Sequence, residues 1–88
     1  MAHYAQIDET NTVINVIVIN NNSINNLPYP ESEPVGRAFI ASLGFTGRWL
    51  ETSYNANFRG YYAGIGYYYD ENLDEFIPPS PLEPVDPA

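Results

Sequence analysis

Few side chains of this 88-residue chain could perform acid–base or nucleophilic chemistry. His3 is the single histidine, and the chain has no cysteine and no lysine. Its serine hydroxyl groups belong to Ser23, Ser32, Ser42, Ser53 and Ser80. None lies in a Gly-x-Ser-x-Gly turn or next to a lysine, and a histidine base needs an orienting partner and a pocket. The residue types therefore predict a protein that is not an enzyme.

The segment from Asp70 to Asp74 has the Asp-x-Asn-x-Asp spacing that opens a calcium-binding loop. Such a loop needs glycine at its sixth position and glutamate at its twelfth, where this chain has Glu75 and Pro81. Aspartate and asparagine are also ordinary turn residues. We therefore predict a hairpin turn and no metal site, with a weak calcium contact shared by two chains as the alternative.

Two further patterns lack the features that their chemistry requires. The Gly-Ile-Gly run at 64–66 has no third glycine and no following helix, so it does not predict a dinucleotide site, and no cofactor is expected. The carboxylates of Glu51, Asp70 and Glu75 have no spacing that sets a separation for paired acid–base work. We interpret them as solvated charges.

The charge balance excludes two classes of partner. Eleven acidic residues face only Arg37, Arg48 and Arg59, which gives a formal net charge of −8. Binding to nucleic acid or to an anionic membrane needs clustered cationic side chains, which these three arginines do not form. No apolar run is long enough to span a bilayer, and no basic stretch precedes an apolar one at the start. We expect a soluble chain without a membrane anchor or a secretory leader.

The first half of the chain predicts a β-hairpin. Residues 3–7 alternate as a half-buried strand does, and residues 8–11 are suited to a tight turn. Residues 12–19 form a β-branched run that is apolar on both faces apart from Asn15. This pattern favours a strand covered on both faces over most of its length, which fits a central strand or a strand completed by a neighbouring subunit. The asparagine-rich residues 20–26 that follow predict a loop.

One helix is predicted, over residues 31–43. Ser32 can cap it, an early proline is harmless there, and Gly44 can end it. Val35, Phe39 and Leu43 recur every four residues and predict the face that packs on the sheet. A glycine at position 36 disfavours the helix by about 1 kcal/mol relative to alanine, so we expect a short helix that depends on packing.

The second half returns to strands. Residues 48–53 and 61–69 predict extended segments, and residues 75–77 pair back after the turn at 70–74. Residues 80–88 hold three prolines and predict an extended tail. The chain is thus predicted to be mainly β, a small α+β domain over residues 1–79: hairpin, one short helix, strand, hairpin, then a proline-rich tail over residues 80–88.

Tyrosine-rich strands also suggest a contact surface, because tyrosine offers a large contact area with little loss of rotamer entropy. The apolar strand and the tyrosine segment supply the candidate partner-binding residues. These are Val13, Val16, Val18, Tyr61, Tyr62, Tyr67, Tyr68 and Tyr69. We expect them to contact another protein or further copies of the chain, which predicts a homo-oligomer or a larger assembly.

One long run carries a resemblance to a known family. Residues 52–70 read TSYNANFRGYYAGIGYYYD, residues 76–79 read FIPP, and the start reads HYAQID over residues 3–8. This pattern resembles a short protein of tailed phages that infect cyanobacteria and other marine bacteria, most of whose members have no assigned function. The resemblance implies a virion-associated structural protein.

The implied role is decoration or cementing of the capsid at seams between capsomers. The partner would be the major capsid protein or copies of the chain itself, on the exterior of the particle and in the host cytoplasm before assembly. Two alternatives belong to other classes: a module of the tail or tail fibre, and an acidic intracellular inhibitor of a host protein. Charged residues make up 16% of the chain, which is low for a mimic of DNA.

Overall fold

The computed structural model describes residues 1–79 of the chain. Its elements are β1 (Ala2–Ile7), β2 (Val13–Ile19), a 3₁₀ helix (Asn21–Ile24), α1 (Ser32–Ser42), β3 (Arg48–Thr52), β4 (Tyr68–Asp70) and β5 (Glu75–Ile77). Strands β2, β1 and β3 form an antiparallel sheet in that spatial order, and β4 and β5 form a separate hairpin. The predicted small α+β fold, mainly β with one helix, is confirmed. The tail predicted for residues 80–88 lies outside the described residues.

The central strand of the sheet is β1, and β2 lies at its edge. The turn between them is held by Asp8, whose Oδ1 accepts hydrogen bonds from the N–H groups of Thr10 and Thr12 at 2.9 and 3.1 Å. The prediction that β2 is a central strand is therefore wrong for the single chain. The coverage of both faces that its apolar pattern predicts is present, because other elements pack on each face of this sheet.

Two hydrophobic clusters lie on the two faces of the sheet. Helix α1 and the 3₁₀ helix cover one face, where the buried side chains are Ala2, Tyr4, Ile19, Ile24, Ile40 and Trp49. The second half of the chain covers the other face, where they are Ala5, Ile7, Val13, Leu50, Ala63, Tyr69 and Phe76. Adjacent residues of a strand point to opposite faces of the sheet. Because both faces are covered, apolar residues occupy odd and even positions of β1 and β2 alike.

Helix α1 begins and ends close to the predicted residues, and two residues of the predicted face, Val35 and Phe39, pack against the cluster on the sheet. Ser32, Gly36 and Ile40 are buried, whereas Leu43 is exposed. Ser32 lies inside the helix and donates to a side chain of β3, and the residue that precedes the helix makes no capping bond through its side chain, so the predicted cap is wrong. Gly44 has a φ of +94° directly after the helix end, as a terminating glycine does.

The tyrosine-rich residues 61–69 do not form the long strand that their composition predicts. Only Tyr68–Asp70 is a strand. Gly66 has a φ of +94°, and the N–H of Tyr67 donates to the carbonyl oxygen of Gly64 at 3.0 Å, so the backbone turns there. The glycines between the tyrosines break the extended segment and fold it against the start of β2.

The asparagine-rich segment also differs from its prediction. Residues 21–24 form a 3₁₀ helix in which Asn20 Oδ1 accepts the N–H of Asn22 at 3.2 Å. Ile24 is buried against the sheet, and Asn25 and Asn26 adopt positive φ angles that end the turn. One apolar residue among the asparagines is thus sufficient to anchor the segment to the core.

We expect the Gly36→Ala variant to destabilise the protein although alanine favours helices. A Cβ atom at residue 36 would lie 2.0 Å from the Tyr4 hydroxyl oxygen and 2.2 Å from the adjoining ring carbon. Overpacking of this kind costs about 1–3 kcal/mol, which exceeds the roughly 1 kcal/mol that alanine gains over glycine in a helix. Urea unfolding monitored by circular dichroism measures the change.

The matched control is Ala41→Gly, at an exposed position of the same helix. It should cost only the helix propensity of glycine, about 1 kcal/mol. A Gly36→Ala variant that is as stable as the unsubstituted protein, or more stable, would contradict the packing of Tyr4 against α1.

Candidate interaction surface

The outer edge of β3 is closed at Glu51 by side chains from other parts of the chain. The N–H of Glu51 donates to Glu33 Oε2 at 2.9 Å, and Arg59 Nη1 donates to the carbonyl oxygen of Glu51 at 3.1 Å. At the next residue, Thr52 Oγ1 accepts the N–H of Ala63 at 2.9 Å. A strand edge whose backbone groups are already bonded offers few partners to an added strand. This edge is therefore a poor site for strand addition.

The side chains that close this edge form a charged cluster, here called the Arg59 cluster: Arg59, Glu33, Asp74 and Tyr69. Arg59 bonds to both carboxylate oxygens of Glu33, with Nη2 and Oε1 at 3.2 Å, and its Nε donates to Asp74 Oδ1 at 2.9 Å. The Tyr69 hydroxyl donates to the same oxygen of Asp74 at 2.5 Å. The Arg59 side chain is only 9% exposed, so its charge depends on these partners.

The protonation states of the cluster fit a structural role. Burial raises the pKa of Tyr69 to about 12, and its hydrogen bond to Asp74 acts in the same direction. Burial alone would raise the pKa of Asp74, but the hydrogen bonds from Tyr69 and Arg59 outweigh it and leave this pKa below its ordinary value. At neutral pH the tyrosine is protonated and the aspartate ionised, so each keeps the form that its hydrogen bond needs.

A second polar group lies between α1 and the sheet. Ser32 Oγ donates to Glu51 Oε1 at 2.5 Å, and the Tyr4 hydroxyl donates to the carbonyl oxygen of Ser32 at 2.8 Å. Ser32 and Tyr4 are fully buried, and Glu51 is nearly so. Burial raises the pKa of Glu51 above its ordinary value, against the hydrogen bonds that it accepts. A serine beside a carboxylate could form part of a nucleophilic site, but this hydroxyl is out of reach of a substrate.

Among residues 1–79, the backbone hydrogen bonds from outside the sheet to the outer edge of β2 lie at its start. The N–H of Val13 donates to the carbonyl oxygen of Tyr67, and the N–H of Gly66 donates to that of Val13, both at 2.8 Å. Ile14 then lies in a bulge without a partner in β1, because Gln6 pairs with Asn15 and the next residue of β1 pairs with Val13. The regular part of the edge consequently begins after the bulge.

Residues 15–19, here called the edge segment, form the open part of this edge. Within residues 1–79, the sheet order places no strand beside it on the outer side. The segment carries no charge, and the Val18 side chain is 52% exposed. Its one polar side chain is Asn15, whose Oδ1 accepts the N–H of Val16 at 2.9 Å. Natural edges are usually protected by lysine, proline or a covering element, and here none of these protects the segment among the described residues.

The predicted partner-binding residues divide into three groups. Val13 and Tyr69 are only 1% and 6% exposed and belong to the core, so their prediction as contact residues is wrong. Val16, Tyr62 and Tyr67 are half-buried, and Val18, Tyr61 and Tyr68 are exposed. The alternation of strand side chains explains the difference between Tyr68 and Tyr69, because neighbouring residues of β4 point to opposite sides. A contact role for the exposed and half-buried residues stays a prediction.

Three rings form an aromatic patch that sequence reasoning missed: His3, Tyr54 and Tyr62. The His3 ring stacks on Tyr54 at a centroid distance of 5.5 Å and meets the edge of Tyr62 at 5.4 Å. Burial lowers the pKa of His3, which favours the neutral ring. His3 pairs with Val18 across the β1–β2 ladder, so the patch adjoins the edge segment. No local signal could have grouped residues so far apart in the sequence.

Two further acidic side chains, Asp70 and Glu71, lie in a turn and in an ion pair. Asp70 Oδ1 accepts the N–H groups of Asn72 and Leu73 at 2.9 and 3.2 Å, which confirms the predicted turn. Arg48 Nη1 donates to Glu71 Oε2 at 3.0 Å beside an open cleft of about 500 Å³. Among residues 1–79, no three acidic or histidine side chains are arranged to hold a metal ion.

Comparison with protein-family models, with curated proteins and with solved structures finds no match to this chain. Of the helices within the described residues, none has the length and apolar character needed to cross a membrane. The arrangement of side chains and strand edges therefore has to carry any functional conclusion, together with the sequence resemblance.

We expect the Glu51→Gln variant to gain stability relative to the unsubstituted protein as pH rises from about 4.5 to 7.5. The pKa of Glu51 is higher in the folded chain than its ordinary value of 4.5, so folding favours the protonated form, and stability falls as this carboxyl ionises. Glutamine keeps an acceptor oxygen for Ser32 and carries no charge. Unfolding free energies measured in urea across this pH range test the expectation.

Glu71→Gln is the control of opposite sign. In the unsubstituted protein the pKa of Glu71 is lowered, mainly by the hydrogen bond from Arg48. The ionised carboxylate therefore stabilises the folded chain at a pH above its unfolded pKa, and this stability is lost as pH falls. The control should be less stable than the unsubstituted protein at neutral pH, with the difference closing on acidification. A Glu51→Gln variant that behaves in this second way would contradict the buried, unfavourable charge.

Proposed function

We propose that this chain is a non-enzymatic structural protein of a phage virion that decorates or cements the capsid exterior. The observation that carries the proposal is the open, uncharged edge segment of β2 in a sheet whose other edge is closed by side chains. An open edge of this kind binds extended chain through backbone hydrogen bonds, with side chains on alternate faces providing specificity. The proposed activity is protein–protein assembly.

The positions of the reactive side chains favour binding over catalysis. Ser32 is fully buried, and its hydroxyl is bonded to Glu51. His3 is packed between two tyrosine rings and has no carboxylate to orient it among its ring contacts. A nucleophile needs an accessible base beside it, and neither residue has this arrangement. These positions support a proposal without an enzymatic step and without a cofactor.

The charge distribution favours a protein partner over nucleic acid or a membrane. Arg48 and Arg59, two of the three cationic side chains, are paired with carboxylates of the same chain. At a net charge of −8, contact with packaged DNA would be repulsive, whereas an outer capsid surface faces away from it. The exposed tyrosines Tyr61 and Tyr68 add apolar contact area with polar tips, as residues at protein interfaces do.

Many copies of a small binder reach high occupancy with modest single-site affinity when sites recur on one particle. A capsid offers such recurring seams, which suits a chain of this size. One observation favours the tail or tail-fibre alternative: Tyr54 in the aromatic patch is 67% exposed and could contact a host receptor. The two locations predict different copy numbers, because a capsid carries many more equivalent sites than a tail.

We expect purified particles of a phage that encodes this chain to contain it in a fixed ratio to the major capsid protein. Quantitative mass spectrometry measures the ratio, and cryo-electron microscopy locates the density on the capsid exterior. Because the contact is proposed to be mainly apolar, washing with high salt should release little protein. Absence from particles, or density confined to the tail, would contradict the capsid role.

Replacing both exposed tyrosines, Tyr61→Ala with Tyr68→Ala, should lower the occupancy on particles while leaving the fold intact. Tyr54→Ala is the matched control, since this tyrosine is more exposed than Tyr61 or Tyr68 but lies in the aromatic patch. Loss of occupancy with the control and not with the double variant would assign the particle contact to the aromatic patch instead.

A further inference from the structure

The sheet of β2, β1 and β3 has one open edge within the described residues, and it is strongly apolar. We infer that the edge segment pairs with the edge segment of a second copy of this chain. The two segments run antiparallel about a two-fold axis at Ile17 and join two three-stranded sheets into one of six strands. The inference rests on the proposed function, which makes the edge of β2 a contact surface. It deepens that function by naming the partner of the edge.

The position of the axis follows from the length of open edge. On one side the edge is limited by the bulge at Ile14 and by the bonds of Val13 to Gly66 and Tyr67. On the other side β2 ends at Ile19. The regular open stretch is therefore residues 15–19, and an antiparallel pair that uses all of it must be centred on its middle residue. Residues that face each other in such a pair have their side chains on the same face of the sheet. This register meets the condition, because it pairs Ile17 with Ile17 and Val16 with Val18.

The paired segments would cover the apolar side chains that β2 leaves half-buried or exposed. Val18 would lie opposite Val16 of the second copy on one face, and Ile17 opposite its own counterpart on the other. Val16 packs against one hydrophobic cluster and Ile17 against the other, so the pairing would extend both clusters across the axis. Side chains that face each other across paired strands contribute to the stability of a sheet.

The charge distribution permits two copies of this acidic chain to meet at this edge. Residues 13–26, which include the edge segment and the 3₁₀ helix, carry no charge. In the antiparallel arrangement the acidic turn at Asp8 and Glu9 of one copy lies towards the uncharged asparagine-rich end of the other. A parallel arrangement would bring the two acidic turns together, at a cost in repulsion. Charge repulsion therefore favours the antiparallel orientation of the two copies over the parallel one.

The closed edge of β3 limits the assembly to two copies. Glu33 and Arg59 bond the backbone of Glu51, so the six-stranded sheet would have a capped strand at each end. A two-fold contact uses the same surface on both copies and leaves no further open edge in this sheet. The exposed tyrosines Tyr61 and Tyr68 lie outside the edge segment, which leaves two sets of them for a capsid partner.

The first experiment measures the mass of the purified protein, in the absence of phage, by analytical ultracentrifugation over a range of concentrations. We expect a dimer and a melting temperature that rises with concentration. Val18→Lys should weaken the dimer at least tenfold, because a lysine on the edge blocks strand pairing. Leu73→Lys, which places the same charge at an exposed leucine of the β4–β5 turn, should leave it unchanged.

The second experiment tests the register with introduced cysteines, since the chain has none of its own. Disulfides form where Cα atoms lie about 4.4–6.8 Å apart, as they do between directly opposed residues of paired strands. Under mild oxidation Ile17→Cys should cross-link to itself, and a mixture of Val16→Cys and Val18→Cys should cross-link better than Val18→Cys alone. Val18→Cys that links to itself as readily as Ile17→Cys does would overturn the register.

A folded protein that stays monomeric at millimolar concentration, with a melting temperature independent of concentration, would overturn the inference as a whole. The outcomes separate it from the proposed function. A dimer in solution combined with absence from particles would refute the virion role alone. Monomers seated singly on capsids would refute the two-fold pairing alone.

Discussion

The structure depends on the need to cover both faces of one small sheet. Strand β1 is the central strand, and its adjacent residues Tyr4 and Ala5 point to opposite faces, yet both are fully buried. Burial of two adjacent strand residues requires a covering layer on each face of the sheet. Helix α1 comes close enough on one side because Gly36 has no side chain and the Tyr4 ring occupies that space. On the other side, the hairpin of β4 and β5 brings Phe76 into the core.

Covering the sheet in so short a chain brings polar groups into the interior, and their partners come from distant parts of the sequence. Arg59 joins Glu33 of the helix to Asp74 of the last turn, while its guanidinium also reaches the backbone of β3. Burying such charges is favourable only when each is paired and hydrogen-bonded. Two residues that resemble catalytic groups by type, Ser32 and Glu51, are thus bonded to each other between α1 and the sheet.

The same cluster makes the two edges of the sheet unequal. The β3 edge is capped by Glu33 and Arg59, whereas the edge segment of β2 has neither a charge nor a covering element among the described residues. A sheet with unequal edges can add a strand at its open edge but not at its capped edge. Assembly at the open edge is consistent both with a cementing role on a particle and with pairing of two copies. The net charge of −8 opposes indiscriminate aggregation through the same edge.

Local sequence patterns determined several elements of this protein. The alternation of β1, the β-branched run of β2 and the glycine after α1 are signals within a few residues, and they placed these elements closely. Other features depend on pairs far apart in the chain, such as Tyr4 with Glu51 or Arg59 with Glu33. Only the tertiary structure decided that Tyr69 is buried and Tyr68 exposed, that Ser32 bonds to β3 and does not cap its helix, and that β2 lies at an edge. These outcomes depend on strand order and register, which are set by the packing of whole layers and not by the composition of any one segment.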